Sequence, residues 1–236
     1  MRKIVLLFTI ALVTQISTAQ RTAYHTQPEK LFNQGKEMFL EGNYVGAKDM
    51  LSRYTMVSND AYLKEEAAYM TSVSSFRSGS ENGGEILKAF LERYPETVHR
   101  HLVSFLIGSS HYDKKEWEAA RIWFNQADLD YLTMEEQEDY SFRTGYTHLQ
   151  LGNKEEATRF FGLLSQNSTK YRDAADFYLG YIDYSNSDYA GALQRFQRLK
   201  DHPEYNEEVA FYTAQAAFFD GRLEEAVEQS ETFVNR

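Results

Sequence analysis

Small and large apolar residues recur along this chain at a fixed stride. From Gly108, His111 follows at three residues, Ala120 at twelve, Phe124 at sixteen and Ala127 at nineteen. Gly145 repeats the series with His148, Ala157, Phe161 and Leu164, and Gly180 with Ala192, Phe196 and Leu199. Ala214 leads to Ala217, Gly221, Ala226 and Phe233, and Gly35 to Met38, Gly42, Ala47, Leu51 and Tyr54. A weaker copy runs through Thr71, Ser74, Gly83, Leu87 and Phe90. The six starting points lie 36, 37, 37, 35 and 34 residues apart. Self-similarity at a period of this size marks a repeat array.

Each repeat reads as two helices. The apolar residues at sixteen and nineteen lie one turn apart on one helical face. The small residue at the start and the alanine at twelve predict a close crossing within each hairpin, Gly145 against Ala157 and Gly180 against Ala192. Gly42-Asn43, Gly152-Asn153 and Gly221-Arg222 supply the turns between helices. Pro95 and Pro203 fall between repeats, where a helix must stop, and Pro28 falls where the first begins. Thr133 and Glu136 form the pattern of a capping box. The glycine-rich stretch Ser78 to Gly84 predicts that the second hairpin is the loosest.

This spacing resembles the tetratricopeptide repeat, with its small eighth residue, alanine at the twentieth and large apolar residues at the twenty-fourth and twenty-seventh. The resemblance covers nearly all of the chain after its first 28 residues and implies an all-α fold, a right-handed α-α superhelix of about six helix-turn-helix repeats. The expected repeats lie near 29–57, 61–94, 97–129, 134–165, 170–200 and 204–236, after a lead-in at 20–28. The tryptophan common early in the family's first helix is missing, its places held by Leu31, Ala67, Ser104, Ser141, Asp176 and Ala210. No polar closing helix follows Phe233, so either another chain, a second copy included, or a C-terminal continuation is expected to cover the last repeat.

Residues 1–19 read as a cleavable signal peptide. Arg2 and Lys3 precede an apolar run from Ile4 to Val13, and Ser17-Thr18-Ala19 places small residues before a cut at Gln20. The run is too short to span a bilayer, and no second apolar segment follows, so the mature chain is expected not to span a membrane. The formal charge of −10 excludes a nucleic-acid partner, because the phosphate-neutralising cations that dominate such binding are lacking. No cysteine occurs, which removes disulfides, thiolate metal sites and a lipidated N-terminus. Phe90 followed by Tyr94-Pro95 resembles a junction in envelope tetratricopeptide proteins of Gram-negative bacteria, the outer-membrane assembly and Tol–Pal-associated types. That likeness implies a periplasmic or envelope location.

The family's first helices line a concave groove, and its groove positions lie three residues before the repeat start and one, four and five after it. On this chain they give an aromatic ladder: Phe105, Tyr112, Phe142, Tyr146, Phe177, Tyr181, Tyr184, Phe211 and Phe218, extended by Phe32, Phe39 and Phe219. The ladder is expected either to bind peptides or domains of partner proteins, or only to pack against itself. The basic carboxylate clamp of some relatives is absent, since Lys36, Ser72, Ser109, Tyr146, Tyr181 and Gln215 occupy its places. The acidic run from Asp128 to Asp139 reads as favouring a helix start. His111 and His148 hold equivalent places but are too few for a metal site. No phosphate loop, nucleophile elbow or metalloprotease motif occurs, so no catalytic residue, metal or cofactor is expected. The expected role is a protein-interaction scaffold, with a structural arm of a homo-assembly as the alternative. An accessory to a glycan- or peptidoglycan-processing enzyme is a weaker third.

Overall fold

A helix hairpin needs a stop, a reversal and a restart, and here each rests on single residues. A computed structural model describes residues 27–234, with side chains to 231. The proposed leader at 1–19 and most of the lead-in lie outside the described residues. Among the described residues there are twelve α-helices and no strand. They are α1 (Pro28–Leu40), α2 (Tyr44–Val57), α3 (Ala61–Arg77), α4 (Gly83–Arg93), α5 (Arg100–Asp113) and α6 (Trp117–Phe124). A 3-10 turn at Leu129–Tyr131 then leads to α7 (Met134–Gln150), α8 (Lys154–Asn167), α9 (Arg172–Ser185), α10 (Tyr189–Leu199), α11 (Asn206–Phe219) and α12 (Leu223–Val234). The fold class is all-α, an array of tandem helix hairpins.

The chain divides into two units, the boundary falling inside α5 between Ile107 and Gly108. In the first, Leu31 and Phe32 of α1, Ala47, Leu51 and Tyr54 of α2, and Ala67 and Met70 of α3 form one buried cluster. In the second, Ala157, Phe161 and Leu164 of α8 pack with Ala175, Leu179 and Ile182 of α9. A further cluster joins Leu193 and Phe196 of α10 to Val209 and Ala216 of α11 and Ala226 of α12. Within each unit the helices pack chiefly on their neighbours in sequence, as in an array of stacked repeats.

Pro28 opens α1 at a position that needs no N–H. Thr133 and Glu136 close the capping box of α7, each side chain accepting from the other's backbone amide. The turns of three hairpins place Gly42, Gly152 and Gly221 at φ of 77°, 78° and 80°. Lys115 and Ser187 hold the same place, seven residues after Gly108 and Gly180, with φ of 60° and 65°. A side chain therefore sits there in a conformation that glycine adopts at lower cost.

One sequence expectation gains a detail and one changes. The glycines at the repeat starts also leave room for the large residue at sixteen, whose side chain comes nearest a Cβ built there. A Cβ on Gly35 would lie 2.6 Å from Leu51, on Gly108 2.5 Å from Phe124, and on Gly180 2.7 Å from Phe196. On Gly145 it would lie 3.1 Å from Phe160 and 3.2 Å from Phe161. There the contact is small against large, because Leu51, Phe124, Phe161 or Phe196 on the second helix leans over the bare backbone of the first. The second hairpin is also tighter than its glycines suggest. A Cβ on Gly83 would come 2.8 Å from the Phe76 Cα, so the first turn of α4 lies directly on the α3 backbone, and Gly83 and Gly84 are buried.

Candidate partner-binding face

In the second unit α7, α9 and α11 are the first helices of their hairpins, and their ladder aromatics form two copies of one junction. Phe142 of α7 stacks on Tyr171 at 4.5 Å and meets Phe161 and Tyr178, both at 6.1 Å. Phe177 of α9 stacks on Tyr205 at 5.2 Å and meets Phe196 at 6.2 Å and Tyr212 at 6.3 Å. In each case a first-helix Phe and the large residue of its own second helix receive two tyrosines of the next hairpin. Those tyrosines are seven residues apart, two turns on one helical face.

The remaining ladder positions are drawn into the same network. Tyr146 meets Tyr112 at 5.8 Å, Trp117 at 5.7 Å and Tyr178 at 5.3 Å. Tyr181 meets Tyr212 at 5.5 Å, and Tyr184 meets Tyr212 at 5.4 Å and Tyr189 at 5.9 Å. The Tyr184 hydroxyl donates to Gln215 Oε1 at 2.5 Å. Phe105, in the first unit, is buried and belongs to packing, not to an accessible face. Of the named ladder, Phe211 and Phe218 are the open rings, 40% and 59% exposed, with Phe219 beside them at 55%. The others are half-buried.

The ladder offsets miss six aromatics of this network: Trp117, Tyr171, Tyr178, Tyr189, Tyr205 and Tyr212. The same register would have found them. Tyr171 and Tyr205 stand nine residues before Gly180 and Ala214, Tyr178 and Tyr212 two before, and Trp117 and Tyr189 nine after Gly108 and Gly180.

Comparison with solved structures fits this register. A tetratricopeptide repeat protein from Parabacteroides merdae matches 88% of this chain and 79% of its own, with a TM-score of 0.57 at 16% identity. The fold is of the tetratricopeptide type. MamA (AMB-1) matches 79% of this chain and 93% of its own, with a TM-score of 0.57 at 17% identity. The apo form of RapI matches 96% and 90%, with a TM-score of 0.52 at 14% identity. No family model matches the chain, nor does any curated protein.

The tetratricopeptide tryptophan position explains a buried carboxylate. Asp176 stands there, 5% exposed, accepting from Ser165 Oγ at 2.6 Å with Arg198 and Arg195 at 3.6 and 3.8 Å. A charge this deep persists only because the two neighbouring helices, α8 and α10, supply partners. The acids before and within α7 are likewise engaged. Glu138 accepts from Ser168 Oγ at 2.8 Å, and Asp139 accepts from Lys170 Nζ at 2.7 Å and the Tyr171 hydroxyl at 2.9 Å. They tie α7 to the loop before α9. Among the described residues no group of three metal-binding side chains converges, and no helix is long and apolar enough to cross a membrane.

Burial dominates the proton chemistry of the face. It pushes the Tyr112 phenol up to about 12, against the opposing pull of Arg143, whose guanidinium lies 4.8 Å over the ring. Tyr178 is raised as well, by burial first and then by the neighbouring phenols of Tyr146 and Tyr112. His111 Nδ1 lies 2.5 Å from Glu116 at the turn between α5 and α6. His148 behaves differently: it is buried, stacks on Phe160 at 6.0 Å, and its Nδ1 has no hydrogen-bond partner. Burial lowers its pKa below the ordinary 6.5. The unfolded chain therefore binds the extra proton first, and stability falls as the pH drops through 6.5 toward the folded-state value. His148→Phe is expected to remove that part of the slope, at most about 1.4 kcal/mol per pH unit. Urea midpoints at neutral pH and about pH 5 check it, and equal slopes for the two proteins would refute it.

Proposed function

We propose that this chain is an exported, non-catalytic scaffold of the periplasm or cell envelope of a Gram-negative bacterium, holding peptides or domains of other proteins. The partner sits on the aromatic face of the second unit, toward Tyr181, Tyr184, Phe211 and Phe218. One observation carries the reading: Phe211, Phe218 and Phe219 stand 40%, 59% and 55% exposed to solvent, beside half-buried rings of the same face. Contiguous apolar surface of this kind marks interaction sites. The tetratricopeptide-type fold, the leader pattern and the absence of any catalytic constellation in the sequence support the rest.

Crosslinking in the native cell tests it. A processed chain starting at Gln20 should appear in the periplasmic fraction and capture envelope proteins. Tyr181→Ala combined with Phe211→Ala should cut recovery by roughly tenfold while the helical circular dichroism signal persists. Undiminished recovery would remove the face from the proposal, and a cytoplasmic, unprocessed chain would remove the location. A second reading, an arm of a homo-assembly, draws on the packing of Phe142, Tyr146 and Phe177 into their neighbours. Under it the native mass is a multiple of the chain, and the double variant lowers that mass.

A further inference from the structure

Between α11 and α12 lies an open cavity of about 1120 Å³, lined chiefly by Ala214, Phe218, Phe219, Leu223, Ala226 and Val227. Leu223 and Val227 are 59% and 60% exposed and lie one turn apart. The two internal junctions show what such a surface receives. Upon α7 and α8, and again upon α9 and α10, sits a helix with tyrosines seven residues apart: Tyr171 just before and Tyr178 within α9, Tyr205 just before and Tyr212 within α11. The α11–α12 surface is the third of the series in the same register, with Ala214 at the start, Gln215 for Tyr146 and Tyr181, and Phe211, the counterpart of Phe142 and Phe177, outside the cavity's lining. Ser230 stands where Phe161 and Phe196 stand, sixteen residues after the repeat start, so no ring fills that part of the lining.

The electrostatics narrow the occupant further. Residues 206–231 carry Glu207, Glu208, Asp220, Glu224, Glu225, Glu228 and Glu231 against a single base, Arg222. Seven acids less one base leave −6. Arg222 is itself held by Asp220 at 2.7 Å and Glu225 at 3.6 Å. Glu224, Glu228 and Glu231 follow one another at four and three residues, an acidic row beside the Leu223–Val227 stripe. Two copies meeting through this face would bring like charges together. Head-to-tail contact through α1 would lack the aromatic anchor that Tyr178 and Tyr212 supply, since Asn33 stands at their place two residues before the repeat start.

We propose that the α11–α12 groove docks a basic amphipathic helix of a partner protein, one carrying two aromatic residues seven positions apart with lysine or arginine along its flank. This is the helix-in-groove mode, apolar anchors two turns apart giving affinity and the acidic row giving orientation and rate. The space over Ser230 favours tryptophan at the second anchor. The inference rests on the scaffold reading and names the partner's chemistry for the part of the face that holds Phe218.

The test uses the full chain and a labelled synthetic helix of about 18 residues, five turns, bearing lysines and a Tyr and Trp seven apart. Three companions replace the lysines by glutamate, the aromatics by alanine, or a central residue by proline. Anisotropy titrations should give saturable binding of the first peptide alone, weakening with salt. Val227→Glu, an exposed site that leaves folding intact, should weaken it by about tenfold or more. Glu224→Lys/Glu228→Lys/Glu231→Lys should exchange the preference for the lysine peptide for one toward the glutamate peptide. Equal binding of the proline or alanine peptide, or no response to charge reversal, would overturn the proposal. So would a dimer in light scattering that Val227→Glu dissociates, which would make a second copy the occupant. Should no peptide bind while native-cell crosslinks still depend on Tyr181 and Phe211, the basic-helix inference falls and the scaffold reading stands. Crosslinks undiminished by Tyr181→Ala/Phe211→Ala, with peptide binding intact, would count against the Tyr181–Phe211 face alone.

Discussion

Phe161→Ala is expected to lower the unfolding free energy by about 3–5 kcal/mol, the usual cost of deleting a buried aromatic ring. Phe161 is fully buried. Its ring lies 6.1 Å from Phe142 on α7 and 5.1 Å from Tyr178 on α9, so it joins its own hairpin to the next. In a stacked array stability is a sum of repeat terms and neighbour terms, and this one substitution weakens both. Single domains have only about 5–15 kcal/mol in total, so the α7–α10 region should begin to unfold ahead of the rest. Thermal melts should drop by roughly 6–20 °C, with near-ultraviolet signal lost before far-ultraviolet signal. Leu163, two residues along the same helix and 46% exposed, is the control. Leu163→Ala should change stability by no more than about 0.5 kcal/mol. A Phe161→Ala effect under about 1 kcal/mol would mean that α7, α8 and α9 do not dock as described.

The repeat was legible because the constraints on it are local. A turn seven residues after five of the six starts needs positive φ, the capping box at Thr133 is complete within four residues, and a large residue at sixteen returns on one face in all repeats but the last. Spacing alone did not show which atoms touch. The partner of Gly180 depends on how two helices cross and which way Phe196 points, neither of which can be counted along the chain. The aromatic face was half legible for a similar reason. The ladder offsets describe a helix seen from its groove side, whereas Tyr171 and Tyr205 precede their helices and reach back to the preceding hairpin. Asp176 was noted only as a missing tryptophan. Its partners, Ser165, Arg195 and Arg198, come from α8 and α10, eleven residues before it and nineteen and twenty-two after.

Gly180→Ala turns the small-against-large contact into a measurement. Two effects oppose each other. Alanine is the better helix former by about 1 kcal/mol, but its methyl would meet the Phe196 ring at 2.7, 3.0 and 3.1 Å. That ring is fully buried and cannot swing aside without moving Tyr212, which stacks on it at 6.0 Å. Overpacking of this kind costs about 1–3 kcal/mol, so crowding prevails and the variant should be destabilised on balance. Gly162, inside α8 with nothing within 4 Å of a built Cβ, separates the two effects. Gly162→Ala should gain about 0.5–1 kcal/mol, opposite in sign to the same substitution at Gly180. Phe196→Leu in the Gly180→Ala background should recover part of the loss, a coupling of about 0.5 kcal/mol or more in a double-mutant cycle. If both alanines stabilise, or if the cycle shows no coupling, the glycines at the repeat starts are not there to admit the ring at sixteen, and the close packing of each hairpin must rest elsewhere.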